Sequence, residues 1–328
     1  MGDLQTLLDL SSRTFALAIP MLPEPTRREV GIAYLLFRVA DTFEDGDLWA
    51  PARRVEALRQ FCKALEAPST LDVALLAQGW AADPPLQHDG YREVLKNTPV
   101  VLEALAALPP APRQIISDHV RRTAEGMAAV VGRGAETGRV QLQTLDELRE
   151  YCVTVAGIVG DMLTELFLLG RGALEPVAPF LRARARAFGE GLQLVNILKD
   201  CAADVIQGRS YLPPGIPTSA VHALARRDLD AASDYVRALQ DAGVERGLIE
   251  FTALPVLLAR ATLDWLEQAG PGAKYPGARW PHCSVNWSAA WIWACRPFGA
   301  RSPSKRQVEA WSQIGPVRTC ARAPEHRP

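Results

Sequence analysis

Two runs of this sequence carry carboxylates at helical spacing. In GLQLVNILKDCAADVIQGRSYLP, from Gly191 to Pro213, the residues Gln193, Asn196, Asp200 and Asp204 recur at steps of three and four. On an α-helix they form one polar stripe along an otherwise apolar cylinder. In GIAYLLFRVADTFEDGDLW, Asp41 and Asp45 repeat the i, i+4 spacing, and Arg38 lies one turn upstream among Tyr34, Leu35, Leu36, Phe37 and Val39. Like charges one turn apart destabilise an exposed helix by about 0.2–0.5 kcal/mol and a buried one by far more, so each pair implies a counter-charge. A solvated helix face would account for either pair alone. Two pairs on separate helices favour convergence on a divalent cation. Carboxylate oxygens with retained waters suit Mg²⁺, which commonly completes its shell with phosphate oxygens, so the pattern points to a diphosphate substrate.

Three further segments carry polar or unusual chemistry. In SSRTFALAIP, Ser12, Arg13 and Thr14 can hydrogen-bond or neutralise phosphate oxygens, although the polar face of an N-terminal helix would use the same residue types. In YCVTVAGIVGDMLTELF, Ala156, Gly157 and Gly160 interrupt an apolar helix. Each glycine there is less favourable than alanine by about 1 kcal/mol, which calls for either a close helix crossing, the preferred reading on spacing, or room for a long apolar ligand. GRSYLP, at Gly208 to Pro213, sets Arg209 and Tyr211 just beyond the second aspartate pair, as a helix-ending turn or as a diphosphate contact. GRGAETG at Gly132 to Gly138 has the wrong spacing for a dinucleotide fingerprint, and the five histidines form neither HExxH nor ExxH pairs.

The elements that must position these groups are helical. Apolar residues recur at three and four from Leu4 to Ile19, from about Thr26 to Gly46, and over about 51–66, 70–82, 91–107, 112–131, 144–169, 176–207, 217–242 and 246–269. Strand-like alternation is nearly absent, so an all-α bundle is expected. The 328 residues carry 48% hydrophobic side chains and a net charge of −1, enough for a large core and the wrong balance for a nucleic-acid binder. No uncharged apolar run reaches eighteen residues, and MGDLQTLLDLSSRTF lacks the basic start of a signal peptide. The six cysteines show no CxxC pairing, which fits reduced thiols in a cytoplasmic protein. Beyond Lys274 the character changes: residues 275–328 hold five of the eight tryptophans, are rich in Pro and Arg, and lose the helical period. A disordered tail, a Trp/Arg surface for peripheral membrane contact, or a natural reading frame lost near residue 275 would each produce this, the last being preferred. Residues 1–274 are therefore expected to form the folded domain.

Ser12-Arg13-Thr14-Phe15, YLLFRVADTFED, YCVTVAGIVG and NILKDCAADVIQGRSYLP resemble, in order, the signature segments of the squalene and phytoene synthases. The similarity covers roughly residues 5–274 and lies closer to the squalene branch through DTFED and FTALPVLLARATL. The resemblance implies an all-α isoprenoid synthase fold, a single large bundle around a central apolar cavity. It implies head-to-head condensation of two farnesyl diphosphates to presqualene diphosphate, and onward to squalene or a related C30 product, by a monomer that binds isoprenoid diphosphates. Carried onto matching positions, it makes Asp41, Asp45, Asn196, Asp200 and Asp204 ligands of Mg²⁺, and Tyr151 and those four aspartates catalytic residues. It makes Ser12, Arg13, Thr14, Phe15, Arg38, Val155, Ala156, Gly157, Gln193, Asn196 and Arg209 substrate-binding residues, with Val159 and Leu163 adding to the apolar lining. NADPH use remains open, because the basic segment expected after Lys274 reads YPGARW here. Condensation of geranylgeranyl diphosphate, terpene cyclisation on the same fold, and a non-enzymatic helical scaffold are the alternatives.

Overall fold

A computed structural model describes residues 2–11, 18–66, 71–137, 140–206 and 208–273. Ser12 to Phe15, Lys274 and the 275–328 segment lie outside the described residues, and with them the expectations placed there. The helices are α1 (Gly2–Ser11), α2 (Thr26–Glu44), α3 (Pro51–Glu66), α4 (Leu71–Ala82), α5 (Asp89–Lys96), α6 (Thr98–Ala106), α7 (Pro110–Thr137), α8 (Leu145–Cys152), α9 (Ile158–Leu168), α10 (Ala178–Ile206), α11 (Thr218–Asp241) and α12 (Arg246–Ala269). Two-residue strands, β1 (Val140–Gln141) and β2 (Arg209–Ser210), pair in parallel with Val140 opposite Arg209.

Helical period locates most of these elements, and the departures have local causes. The expected 91–107 helix divides at Asn97, where Pro99 opens α6. The expected 144–169 helix is interrupted by a π-helical turn at Val153–Gly157, closed by the Ile158 N–H reaching back five residues to the Val153 carbonyl. Thr144 caps α8, its hydroxyl accepting from the Glu147 N–H at 3.1 Å, while the Glu147 carboxylate accepts from the Gln143 N–H at 2.6 Å. The segment Leu145–Leu168 is long and apolar enough to cross a membrane by length and composition, and 56% of its most apolar window is buried in the bundle.

Helices α9 and α10 cross at backbone contact. A Cβ on Gly160 would lie 2.0 Å from the Ala185 carbonyl oxygen, and one on Gly189 would lie 2.0 Å from that of Ala156. Only glycine permits that approach. Gly157 is under no such constraint, since its nearest neighbour would be 3.6 Å away. On the other side of α10, Leu194, Val195 and Leu198 join Leu148, Tyr151, Leu229 and Leu263 in one buried cluster. The helix that carries the Asn196, Asp200 and Asp204 stripe is thus held from two directions.

One buried charge stands apart from this packing. Asp228 on α11 is 3% exposed, its Oδ2 lacks a hydrogen-bond partner, and Arg227 Nε is 3.9 Å from its Oδ1. Burial, then the neighbouring Glu190, which Arg149 engages at 3.3 Å, push the Asp228 carboxyl up to about 6. Its folded pKa lies above the unfolded one, so the folded state favours the proton. The associated stability is present below the unfolded pKa near 4 and is lost as pH rises through about 6. Asp228→Asn should therefore stabilise the protein at pH 8, by about 1–3 kcal/mol, and have little effect at pH 4. Urea unfolding of both proteins across this range checks the sign.

Candidate active site

Helix α2 ends in a carboxylate cluster. The Asp45 N–H closes on the Asp41 carbonyl at 2.8 Å, so the two acids stand one turn apart. Arg38, one turn before Asp41, donates to the Tyr34 hydroxyl at 2.8 Å and faces Asp41 Oδ2 at 3.5 Å. Its guanidinium carbon lies 5.4 Å from the Tyr34 ring centroid and 4.9 Å from that of Tyr91. This cage fixes the cation beside the acids. The Tyr34 hydroxyl in turn donates to the Ser11 carbonyl at 3.2 Å, tying the end of α1 to the same point. Burial, opposed by Arg38 and reinforced by Asp45, raises the Asp41 carboxyl to about 6. Glu44 between them is raised further, by burial and then by Asp45 and Asp41.

The second stripe approaches from α10. Gln193 is half-buried, whereas Asn196 and Asp200 are exposed and both engage Lys199, Asn196 Oδ1 at 3.2 Å and Asp200 Oδ2 at 3.3 Å. The middle of the stripe thus opens to solvent. Asp204 is half-buried, and its carboxyl is raised by burial, lowered by Arg209, and raised again by Asp200 and Asp45. Asp204 thus feels charges from both sets.

Arg209 joins the two. Past α10 the chain turns through Gly208, whose φ of 72° is in the left-handed region that glycine tolerates. The β1–β2 pairing then aims Arg209 Nη1 at Asp45 Oδ1, 2.8 Å away. Two residues on, Tyr211 stacks on Tyr151, ring centroids 4.6 Å apart and planes 18° apart. The Tyr151 hydroxyl donates to Glu44 Oε1 at 3.2 Å. Burial first, then the Glu44 charge, raise the Tyr151 phenol well above its ordinary range, so it stays protonated. The π-helical turn follows directly, with Val155 and Ala156 half-buried, as is Val159, while Gly157 and Leu163 are buried. A recess of about 640 Å³ between α3 and α4, lined by Trp49, Arg53, Leu75, Leu76 and Trp80 among others, contains none of these residues.

Among the described residues, no three carboxylate, thiol or imidazole groups gather closely enough to hold a metal by themselves. Each helix instead offers a pair of oxygen donors one turn apart, and burial first, with a smaller contribution from nearby acids, raises Asp41 and Asp204. That donor set fits Mg²⁺, which takes one or two carboxylates and leaves positions for water and phosphate oxygens.

A family model for squalene/phytoene synthase matches residues 8–216. The chain belongs to that family. Among relatives of this squalene/phytoene synthase family member, the squalene synthase of Schizosaccharomyces pombe is 30% identical over 208 residues, covering 63% of this chain and 43% of that protein. The squalene synthase of Eremothecium gossypii is 28% identical over 279 residues, covering 78% and 60%. The chain thus spans about half the length of these curated relatives. Among solved structures, TcSQS in complex with the ligand E5700 is similar at a TM-score of 0.66 and 26% identity, covering 80% of this chain and 78% of that one. A dehydrosqualene synthase in complex with a ligand is similar in fold at a TM-score of 0.55 and 20% identity, covering 88% and 94%. The fold is the all-α isoprenoid synthase fold.

Sequence reasoning placed Asp41, Asp45, Arg38, Asp204 and Arg209 where the chain brings them together. It missed Glu44 as a partner of Tyr151, and Arg54, whose Nε donates to the Phe43 carbonyl at 3.1 Å and whose charge acts on Glu44. A third acid inside DTFED was a visible signal for Glu44; Arg54 lies in an ordinary amphipathic pattern that gave none. Because the Tyr cage holds Arg38 against Asp41, Arg38→Met should destabilise the fold by about 1–3 kcal/mol by leaving that acid without its nearest cation. Adding Asp41→Asn should recover part of the loss. Denaturant unfolding of the two single variants and the double variant measures the coupling, and strictly additive effects would contradict it.

Proposed function

We propose that this chain is a transferase that condenses two farnesyl diphosphates head to head, giving presqualene diphosphate and then squalene or a related C30 product. The observation that carries the reading is the Arg209–Asp45 bond, which draws the acids of α2 to the end of α10, where Asp204 feels both Asp200 and Asp45. Family membership and the squalene synthase relatives support it from an independent direction.

Asp41 and Asp45 on one helix, and Asn196, Asp200 and Asp204 on the other, are the residues that would hold Mg²⁺, which supplies Lewis-acid assistance to diphosphate departure. Arg38 and Arg209 present guanidinium donors that orient diphosphate oxygens and stabilise the charge gathering on them as the C–O bond breaks. The allylic cation must meet the second substrate's alkene before it meets water. Apolar Val155, Ala156, Val159 and Leu163 exclude water from that step, and Tyr151 offers a π face to the cation. Carbon–carbon bond formation followed by proton loss closes the cyclopropane. The Tyr151 oxygen can receive that proton as its own passes to the Glu44 carboxylate that accepts from it. Onward reduction to squalene needs a hydride donor such as NADPH.

Incubation with farnesyl diphosphate and Mg²⁺, with and without NADPH, followed by mass analysis of products, tests the reading. A C30 product is expected; a C15 hydrocarbon would instead mean cyclisation, and absence of pyrophosphate release would overturn the proposal. Asp41→Asn and Asp200→Asn should each lower turnover by about 100-fold or more while leaving the unfolding midpoint nearly unchanged.

A further inference from the structure

The Tyr151 phenol is held by more than packing. Tyr151, Tyr211 and Glu44 are 5%, 8% and 7% exposed, and they come from α8, the segment after β2 and the end of α2. In extended chain, residues two apart project to the same side. Arg209 and Tyr211 follow that rule and engage neighbouring positions of α2: Arg209 reaches Asp45 directly, and Tyr211 reaches Glu44 through Tyr151. A phenol has a single proton to donate. With that proton aimed at Glu44 and the Tyr211 side chain also in hydrogen-bond contact with the Tyr151 hydroxyl, the ring plane sets where the remaining oxygen lone pair points.

We infer that Tyr211 is a positioning residue: its ring stacks on Tyr151 and, with Glu44 as acceptor, fixes the place and direction of the Tyr151 oxygen. Stacked aromatic pairs prefer one relative ring orientation, which is enough to select one ring plane for Tyr151 over others. The chemical consequence rests on the condensation proposed above, in which the Tyr151 oxygen handles the proton lost at ring closure. The geometric part stands without it.

Two measurements separate these parts. A fluorotyrosine at position 151 reports ring environment and mobility by ¹⁹F NMR without any turnover. One narrow resonance is expected in the parent protein, a shifted and broadened one in Tyr211→Leu, and a return toward the parent in Tyr211→Phe, which keeps the ring. In turnover with farnesyl diphosphate and Mg²⁺, Tyr211→Leu should lower kcat by about 10- to 100-fold, as misplaced groups do, with KM changed by less than about threefold. In a Tyr151→Phe background, Tyr211→Leu should add little further loss, because Tyr211 acts through the Tyr151 hydroxyl. An unchanged ¹⁹F spectrum in Tyr211→Leu, or losses that multiply independently, would overturn the inference. If the parent forms no C30 product while the resonance responds as described, the condensation reading fails and the positioning role survives.

Discussion

The guanidinium–carboxylate bond between Arg209 and Asp45 spans 164 residues of chain, and the rest of the site depends on it. Asp45 is half exposed and Arg209 mostly covered, so the pair in isolation contributes only about 1 kcal/mol to stability. Its effect is geometric. It brings the turn after α10 against the end of α2, and that approach gathers the acids of both helices and sets Tyr211 on Tyr151. The two-residue β1–β2 pairing, the smallest regular element described, holds the backbone from which Arg209 reaches.

Gathering like charges needs compensation, and the surroundings of the acids supply only part of it. Asp41, Glu44 and Asp204 are all raised, with burial as the first cause and neighbouring carboxylates adding to it. Arg38 in its tyrosine cage, Arg54 and Arg209 oppose that repulsion. A cation and a polyanionic ligand entering together would relieve the acids and occupy the arginines at once, which is the electrostatic logic of a diphosphate site. The backbone contact between α9 and α10 serves the same end from beneath. With Gly160 and Gly189 admitting the crossing, the π-helical turn at Val153–Gly157 lies directly against the helix that bears the second acid stripe.

Much of this was legible in the sequence, because helix period and carboxylate spacing are both local signals. The i, i+4 pairs at Asp41/Asp45 and Asp200/Asp204, the arginine one turn from the first pair, and the glycine-marked crossing all follow from side chains repeating at 3.6 residues per turn. What was not legible depends on contacts distant in sequence. A π-helical turn inside VTVAG leaves no mark on apolar periodicity, and a strand of two residues is too short to alternate. Glu44 reads as one more acid until Tyr151 is seen beside it. The solvent exposure of Asn196 and Asp200 is likewise set by how the end of α10 sits among its neighbours, which residue spacing does not encode.

The central claim is that acids from two remote parts of the chain serve one ligand. A crystal grown with Mn²⁺, an anomalous scatterer that takes the same oxygen donors, and a non-hydrolysable farnesyl diphosphate analogue examines it directly. Metal density about 2.0–2.3 Å from carboxylate oxygens of both α2 and α10, bridged by a single diphosphate group, is the expected result. Metal confined to one helix, or a diphosphate bound away from Arg209, would contradict the account.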